Sequence, residues 1–286
     1  MTTYAVTGAS GKLGRLVLAE LLDMVEPDEI VALARDTSKL ADVAAKGVEV
    51  RRADYGDVAS LDAALAGVDR LLLISGNEVD KRVEQHQAVI DAAGRAGVQF
   101  IAYTSILHAP ESPIGLAKGH RATEAALAAS EVPHSLLRNG WYNENFTGAL
   151  AAQIEAGVIY GSQGDGRISS AARDDYAIAA AQVLVNADGG EVLELAGDAS
   201  WTMDDFAAEL SKQSGKPVVY EDLPPEDYAA LLETQGLPAP IAAMLADSAF
   251  ATSKGALEDY SKTLSEIIGD HTIPVSITIN QALANG

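Results

Sequence analysis

Near its start the chain reads Thr7-Gly8-Ala9-Ser10-Gly11-Lys12-Leu13-Gly14, three glycines at equal three-residue intervals, directly after the apolar Tyr4-Ala5-Val6. A strand that breaks at glycines and restarts as a helix aims backbone N–H groups at whatever lies above it. The helix dipole adds partial positive charge at the same point. Such a turn suits a diphosphate. The spacing G-x-x-G-x-x-G lengthens the first turn of the dinucleotide fingerprint G-x-G-x-x-G by one residue. Its last two glycines keep the interval that lets backbone approach phosphate and helix pack on strand. With 25 glycines in the chain the triplet alone is weak; the strand before it and the amphipathic helix after it give it weight.

Further residues fall where a bound dinucleotide needs them. Arg35 ends the second apolar run, Ile30–Ala34, where an acid would hold a ribose 2′-hydroxyl and an arginine a 2′-phosphate. A guanidinium fork matches phosphate in charge and geometry. Arg35, assisted by Lys12 and Lys39, therefore predicts NADP rather than NAD, although the adjacent Asp36 keeps NAD open. Asp54 and Tyr55 follow the third strand, beside the adenine position. Ser75 and Gly76 follow the fourth, where backbone can approach ribose and diphosphate. Thr104 and Ser105 follow the fifth, at the nicotinamide half. With Gly8, Ser10, Gly11, Lys12, Leu13, Gly14, Arg35 and Asn139 they make up the expected cofactor site. His120 and Glu124 lie four apart on a predicted helix and share a face. His120, with a pKa near the working range, is a candidate donor to a reduced oxygen, Lys118 is a second candidate, and an exposed i,i+4 pair is the alternative. No histidine pair has ligand spacing, and Gly164-Asp165-Gly166 lacks the calcium-loop pattern, so no metal site is expected.

These residues require a scaffold, and the hydrophobic pattern supplies one. Strands at 4–7, 30–34, 48–52, 70–74, 99–104 and 134–138 alternate with helices at 12–23, 37–46, 58–66, 80–96 and 117–130. Gly47, Gly67 and Gly97 fall at helix ends. Strand-then-helix repetition with short apolar strands predicts an α/β fold, a doubly wound parallel sheet of Rossmann type. Beyond residue 145 the rhythm loosens. Helices are expected at 145–156, 173–186, 202–214, 226–236, 238–247 and 253–262, with strands at 158–160, 192–195 and 217–220. This predicts a cofactor domain over 1–150 and a smaller α/β lobe over 151–286, some of whose segments return to the sheet, with the ligand in a cleft between them.

Composition excludes several classes. Forty-one acidic against 20 basic residues leave a net charge of −21, unsuited to general nucleic-acid binding. There is no cysteine, so thiolate catalysis and disulfides are absent. No apolar run is long enough to cross a membrane and no basic leader opens the chain, which predicts a cytoplasmic protein; a homodimer is compatible with this reading.

Thr7–Gly14, Arg35, Gly47–Asp54, Leu72–Gly76, Tyr103–Ser105, Ser200–Asp205 and above all Leu137-Arg138-Asn139-Gly140-Trp141-Tyr142-Asn143-Glu144-Asn145-Phe146 together resemble the NmrA-like atypical short-chain dehydrogenases. The resemblance is strongest to the branches that reduce quinones and triphenylmethane dyes, and it runs over nearly the whole chain. It implies a Rossmann domain with a small substrate domain, NADPH, and an electron-accepting small molecule near Trp141, Tyr142, Asn143 and Asn145. The pattern Tyr-x-x-x-Lys of ordinary short-chain dehydrogenases is missing: none of the nine tyrosines has lysine four positions on. Alcohol oxidation by that route is disfavoured, whereas hydride transfer to an electron-poor ring, without flavin, needs mainly the positioning of two rings. A cofactor-binding redox sensor without catalytic activity, and a reductase of cationic dyes or conjugated ketones, are the alternatives.

Overall fold

The computed structural model describes residues 1–285. The chain alternates strand and helix: β1 (Tyr4–Val6), α1 (Lys12–Met24), β2 (Ile30–Ala34), α2 (Ala41–Ala44), β3 (Glu49–Arg52), α3 (Val58–Leu65), β4 (Arg70–Leu73), α4 (Arg82–Ala96), β5 (Phe100–Ile106), α5 (Ala117–Ala129) and β6 (His134–Asn139). There follow α6 (Leu150–Ala156), β7 (Val158–Gly161), α7 (Arg173–Asn186), β8 (Val192–Leu195), α8 (Met203–Ser214), β9 (Val219–Asp222), α9 (Pro225–Thr234), α10 (Ala239–Thr252), α11 (Thr263–Ile268) and α12 (Val275–Asn285).

Seven strands form one sheet in the order β3-β2-β1-β4-β5-β6-β8, and β1 to β6 pair in parallel. β2 and β5 are buried at every residue, as strands covered by helices on both faces must be. The core of this unit joins Ala5, Val31, Leu33, Leu71, Leu73, Ile101 and Tyr103 from the strands to Leu61, Leu65, Val89, Ile90 and Leu127 from the helices. The strand order reverses at β1, which lies between β2 and β4. Connections leaving β1 and β4 therefore open side by side at the carboxyl ends of the strands, where open α/β sheets bind ligands. The Gly8–Gly14 turn and the Ser75–Gly76 turn are those two connections.

Two compact units divide the chain. One comprises Met1–Ala109, Gly119–Asn139 and Asp174–Leu193; the other comprises Pro110–Lys118, Gly140–Arg173 and the chain from Glu194 on. The second unit holds the two-stranded parallel sheet β7-β9 and the helices α8 to α12.

Local chemistry moves several elements from their expected places. The helix expected over 37–46 begins as a tight 3-10 turn, because the Asp36 carboxylate captures the Ser38 amide, and the α-helix proper is four residues. The helix expected from 145 starts at Leu150, after a 3-10 turn at Asn143–Asn145. No helix spans 253–262. Gly255 and Lys262 take positive φ of 81° and 59°, and the backbone of Leu257 and Asp259 is bonded to Ser169 instead. Helices follow that segment at Thr263–Ile268 and Val275–Asn285.

Candidate active site

The glycine turn is a cradle closed by backbone. Gly8 adopts a positive φ of 59°, and the Gly11 amide donates to the Gly8 carbonyl at 2.8 Å. A Cβ at Gly14 would lie 2.4 Å from that carbonyl oxygen and 2.8 Å from Ala9 Cα, so the third glycine is where helix meets turn. No side chain caps α1. The amides of Lys12, Leu13 and Gly14 therefore open outward without an intrahelical acceptor. Leu13 contributes in this way alone, its side chain being core. Ser10 is half-buried and Lys12 exposed beside the turn.

Arg35 is exposed at the end of β2 and pairs with Glu78 at 3.1 Å; Glu78 also takes Lys81 at 3.3 Å. Asp36 accepts hydrogen bonds from both the amide and hydroxyl of Ser38, which hold its carboxyl below the usual range. It serves as the cap of the next turn, while Arg35 is left facing outward. The backbone carbonyl of Lys39 accepts from Arg15, whose guanidinium also pairs with Asp42. Asp54 accepts from the Gly56 amide at 3.0 Å, and Tyr55 donates to the Ile74 carbonyl at 2.9 Å. That bond ties the third connection to the fourth.

The Ser75–Gly76 turn is held on every side. The Ser75 amide donates to Thr104 Oγ1 at 2.9 Å, the Gly76 amide to His86 Nε2 at 2.9 Å, and Arg82 Nε to the Gly76 carbonyl at 3.0 Å. Because His86 Nε2 accepts, its proton sits on Nδ1, which donates to Thr123 Oγ1 at 2.9 Å. Thr123 in turn donates to the Gly119 carbonyl. Arg82 and His86 are both buried, and sequence reasoning passed over both. The available signal was their four-residue spacing on the stripe of α4 that also holds Val89 and Ile90, where a charged residue is out of place unless it is used.

Around the end of β5 the polar groups interlock. Tyr103 Oη and His120 Nδ1 share a hydrogen bond of 2.8 Å. His120 is buried rather than exposed; burial first, then the Arg82 charge, pushes its pKa down to about 3. This corrects the expected value near the working range, because an imidazolium there would lose hydration with no carboxylate to compensate. Glu124 does not pair with it. Its carboxylate takes Arg138 through two bonds, 3.0 Å to Nε and 2.7 Å to the terminal nitrogen, and accepts from Ser105 Oγ at 2.5 Å. Lys118 is exposed at the first turn of α5. Asn139, at the end of β6, is 7% exposed, and its Oδ1 is buried without a hydrogen-bond partner.

The four residues expected near the substrate belong to the second unit and differ in role. Trp141 and Tyr142 are half-buried, and the Arg173 guanidinium lies 4.7 Å over the Tyr142 ring. Asn145 is exposed. Asn143 is fully buried, and its amide donates to the Ile273 carbonyl and Thr278 Oγ1 while accepting from Ser170 Oγ. With both donors used inside the fold, Asn143 is a latch on the start of α12, a correction to its expected contact with substrate. Among the described residues no three His, Cys, Asp or Glu side chains are grouped to hold a metal ion.

The sequence model of the NmrA-like family matches residues 2–272. The chain is 52% identical over 277 residues to quinone oxidoreductase 2 of Escherichia coli strain K12, covering 96% of this chain and 97% of that protein. A solved NADPH-dependent quinone oxidoreductase from Escherichia coli, complexed with NADPH, superposes with a TM-score of 0.96 at 51% identity, covering 98% of this chain and all of that one. The triphenylmethane reductase of Citrobacter sp., complexed with NADP(H), superposes with a TM-score of 0.93 at 39% identity, covering 98% and 100%.

Proposed function

This chain belongs to the NmrA-like family, and from that premise we propose that it is an NADPH-dependent reductase that passes a hydride directly to a quinone or similar electron-poor small molecule, without flavin. The observation that carries this reading is the likeness over nearly the whole chain to a quinone oxidoreductase solved with NADPH. The residues present fit that cofactor. The uncapped start of α1 suits the diphosphate, the close contact at Gly14 keeps the cradle free of side chains, and Arg35 suits a 2′-phosphate. The unpartnered Asn139 Oδ1 suits a carboxamide N–H.

When bound, the reduced nicotinamide supplies the hydride; the chain supplies geometry. Gly8, Ser10, Gly11, Lys12, Leu13 and Gly14 would hold the diphosphate with backbone, and Asp54 and Tyr55 would border the adenine. Ser75 and Gly76 are fixed from behind by Thr104, His86 and Arg82. Ser105 donates to Glu124, so its oxygen is presented as an acceptor. Trp141, Tyr142 and Asn145 are the second unit's proposed acceptor contacts. His120, neutral at working pH, holds its hydrogen bond to Tyr103 and has no imidazolium proton to give; the proton that completes the product comes from solvent. Positioning then contributes most of the rate. We further propose a cytoplasmic location and a small-molecule acceptor as the partner.

The likeness to a triphenylmethane reductase favours a second reading, reduction of a cationic dye. Both readings are tested by adding a small quinone or a cationic dye to flavin-free protein with NADPH and following loss of the reduced cofactor. Turnover with quinone supports the first reading. Turnover with the dye alone supports the second, and cofactor binding with neither reaction overturns both.

A further inference from the structure

Arg82 carries a charge that the fold leaves uncompensated. It is 6% exposed, it takes part in no ion pair among the described residues, and one terminal nitrogen, Nη1, is buried without a hydrogen-bond partner. The neighbouring carboxylates are engaged elsewhere: Glu78 by Arg35 and Lys81, Glu124 by Arg138. Burying a guanidinium without a counter-charge is costly. A single bond to the Gly76 carbonyl, which a neutral amide could make as well, does not require it.

The charge sits directly behind the residues assigned to the cofactor. Arg82 holds Gly76, and Ser75 is joined to Thr104, next to Ser105. The buried imidazoles of His86 and His120 register the resulting field. Each is pushed down to about 3, by burial first and by Arg82 second.

We propose that Arg82 is a specificity-determining residue that selects acceptors by charge, favouring neutral quinones, which become anionic when reduced, over cationic dyes. The proposal rests on the reductase reading above. A neutral quinone that gains a hydride, two electrons and one proton, from reduced nicotinamide becomes the hydroquinone monoanion and later takes one proton from solvent. A triarylmethyl cation gaining the same hydride becomes neutral and takes no proton. A fixed positive charge stabilises the first change and repels the second substrate before reaction. At a separation of about 10 Å and an effective dielectric of about 20, one unit charge shifts each preference roughly tenfold.

The test uses Arg82→Gln, whose amide still reaches the Gly76 carbonyl, and Arg82→Lys, which keeps the charge. The acceptors are 1,4-benzoquinone and the cationic dye malachite green. With NADPH saturating, R82Q is expected to lower the quinone-to-dye ratio of kcat/KM by at least tenfold, and R82K to restore most of it. A second readout needs no turnover: protein loaded with oxidised NADP should bind the dye about tenfold more tightly as R82Q than as wild type. Equal losses with both acceptors would mean that Arg82 merely supports the fold. Weakened NADPH binding with an unchanged ratio would mean that it serves the cofactor. Either result, or unchanged dye affinity, overturns the proposal. Wild-type protein inert toward both acceptors would sink the reductase reading, while the dye-binding comparison still decides the role of Arg82.

Discussion

Replacing Arg35 by alanine separates the two cofactors. The Arg35 side chain is 70% exposed and touches Glu78 at 3.1 Å, so it stands ready to exchange a weak surface pair for a phosphate. Hydrogen bonds to charged groups contribute about 1.5–3 kcal/mol. With this much solvent around the guanidinium the lower end applies, and ~1.5 kcal/mol is roughly a tenfold rise in Kd. The expected result is about tenfold weaker NADPH binding by titration calorimetry, with NADH, which has no 2′-phosphate, changed less than twofold. The structure adds a second arm. A 2′-phosphate at Arg35 would have to displace Glu78, so Glu78→Gln should tighten NADPH binding about twofold at low salt, and the gain should shrink as salt screens the pair. Equal losses of NADPH and NADH in R35A would refute the phosphate role, and weaker NADPH binding in E78Q would show that Glu78 positions Arg35 rather than competing for it.

Two glycines should respond in opposite ways to alanine. Gly14→Ala puts a methyl against the backbone at 2.4 Å and should cost at least ~2 kcal/mol in urea unfolding and abolish tight NADPH binding; Gly94→Ala, on α4 with open space around it, should stabilise by about 0.5–1 kcal/mol. The folded pKa values of His86 and His120 are depressed from 6.5 to about 3, so between those values the unfolded chain binds protons that the folded chain refuses. Stability is therefore full above about pH 6.5 and falls as pH drops, by up to ~1.4 kcal/mol per unit for each histidine. Urea midpoints at pH 7.5 and 5 check this, and His120→Gln should remove about half of the slope. Glu124→Ala removes the two hydrogen bonds that this carboxylate accepts from Arg138, whose side chain is 13% exposed, and should destabilise by about 1.5–3 kcal/mol; a loss below ~1 kcal/mol would show that solvent and the other contacts of Arg138 replace the carboxylate.

The architecture was legible because its signals are local. Short apolar strands, glycines at helix ends and the turn at Gly8–Gly14 each act within a few residues, and β2, α7 and β8 have the bounds that the pattern predicts. The segment 253–262 was misread because its backbone is captured by Ser169, about 90 positions away in sequence, which no periodicity reveals. The site divides in the same manner. Arg35 and the glycine turn stand at the strand ends that spacing predicts, whereas Asn143 and His120 are read differently once their burial is known, since a side chain enclosed and hydrogen-bonded within the fold acts as a brace. Arg82 and His86 share the buried stripe of α4, a spacing that a helical reading shows, but their hydrogen bonds to Gly76 and Thr123 appear only in the folded chain.

Direct hydride transfer to a quinone can be followed by mixing flavin-free protein with NADPH deuterated at the transferring position of the nicotinamide and 1,4-benzoquinone. The expected result is consumption of one equivalent of cofactor per quinone, with a primary isotope effect on the rate and no need for added flavin. Turnover that appears only on adding flavin, or stable NADPH binding with no oxidation by any quinone, would contradict it.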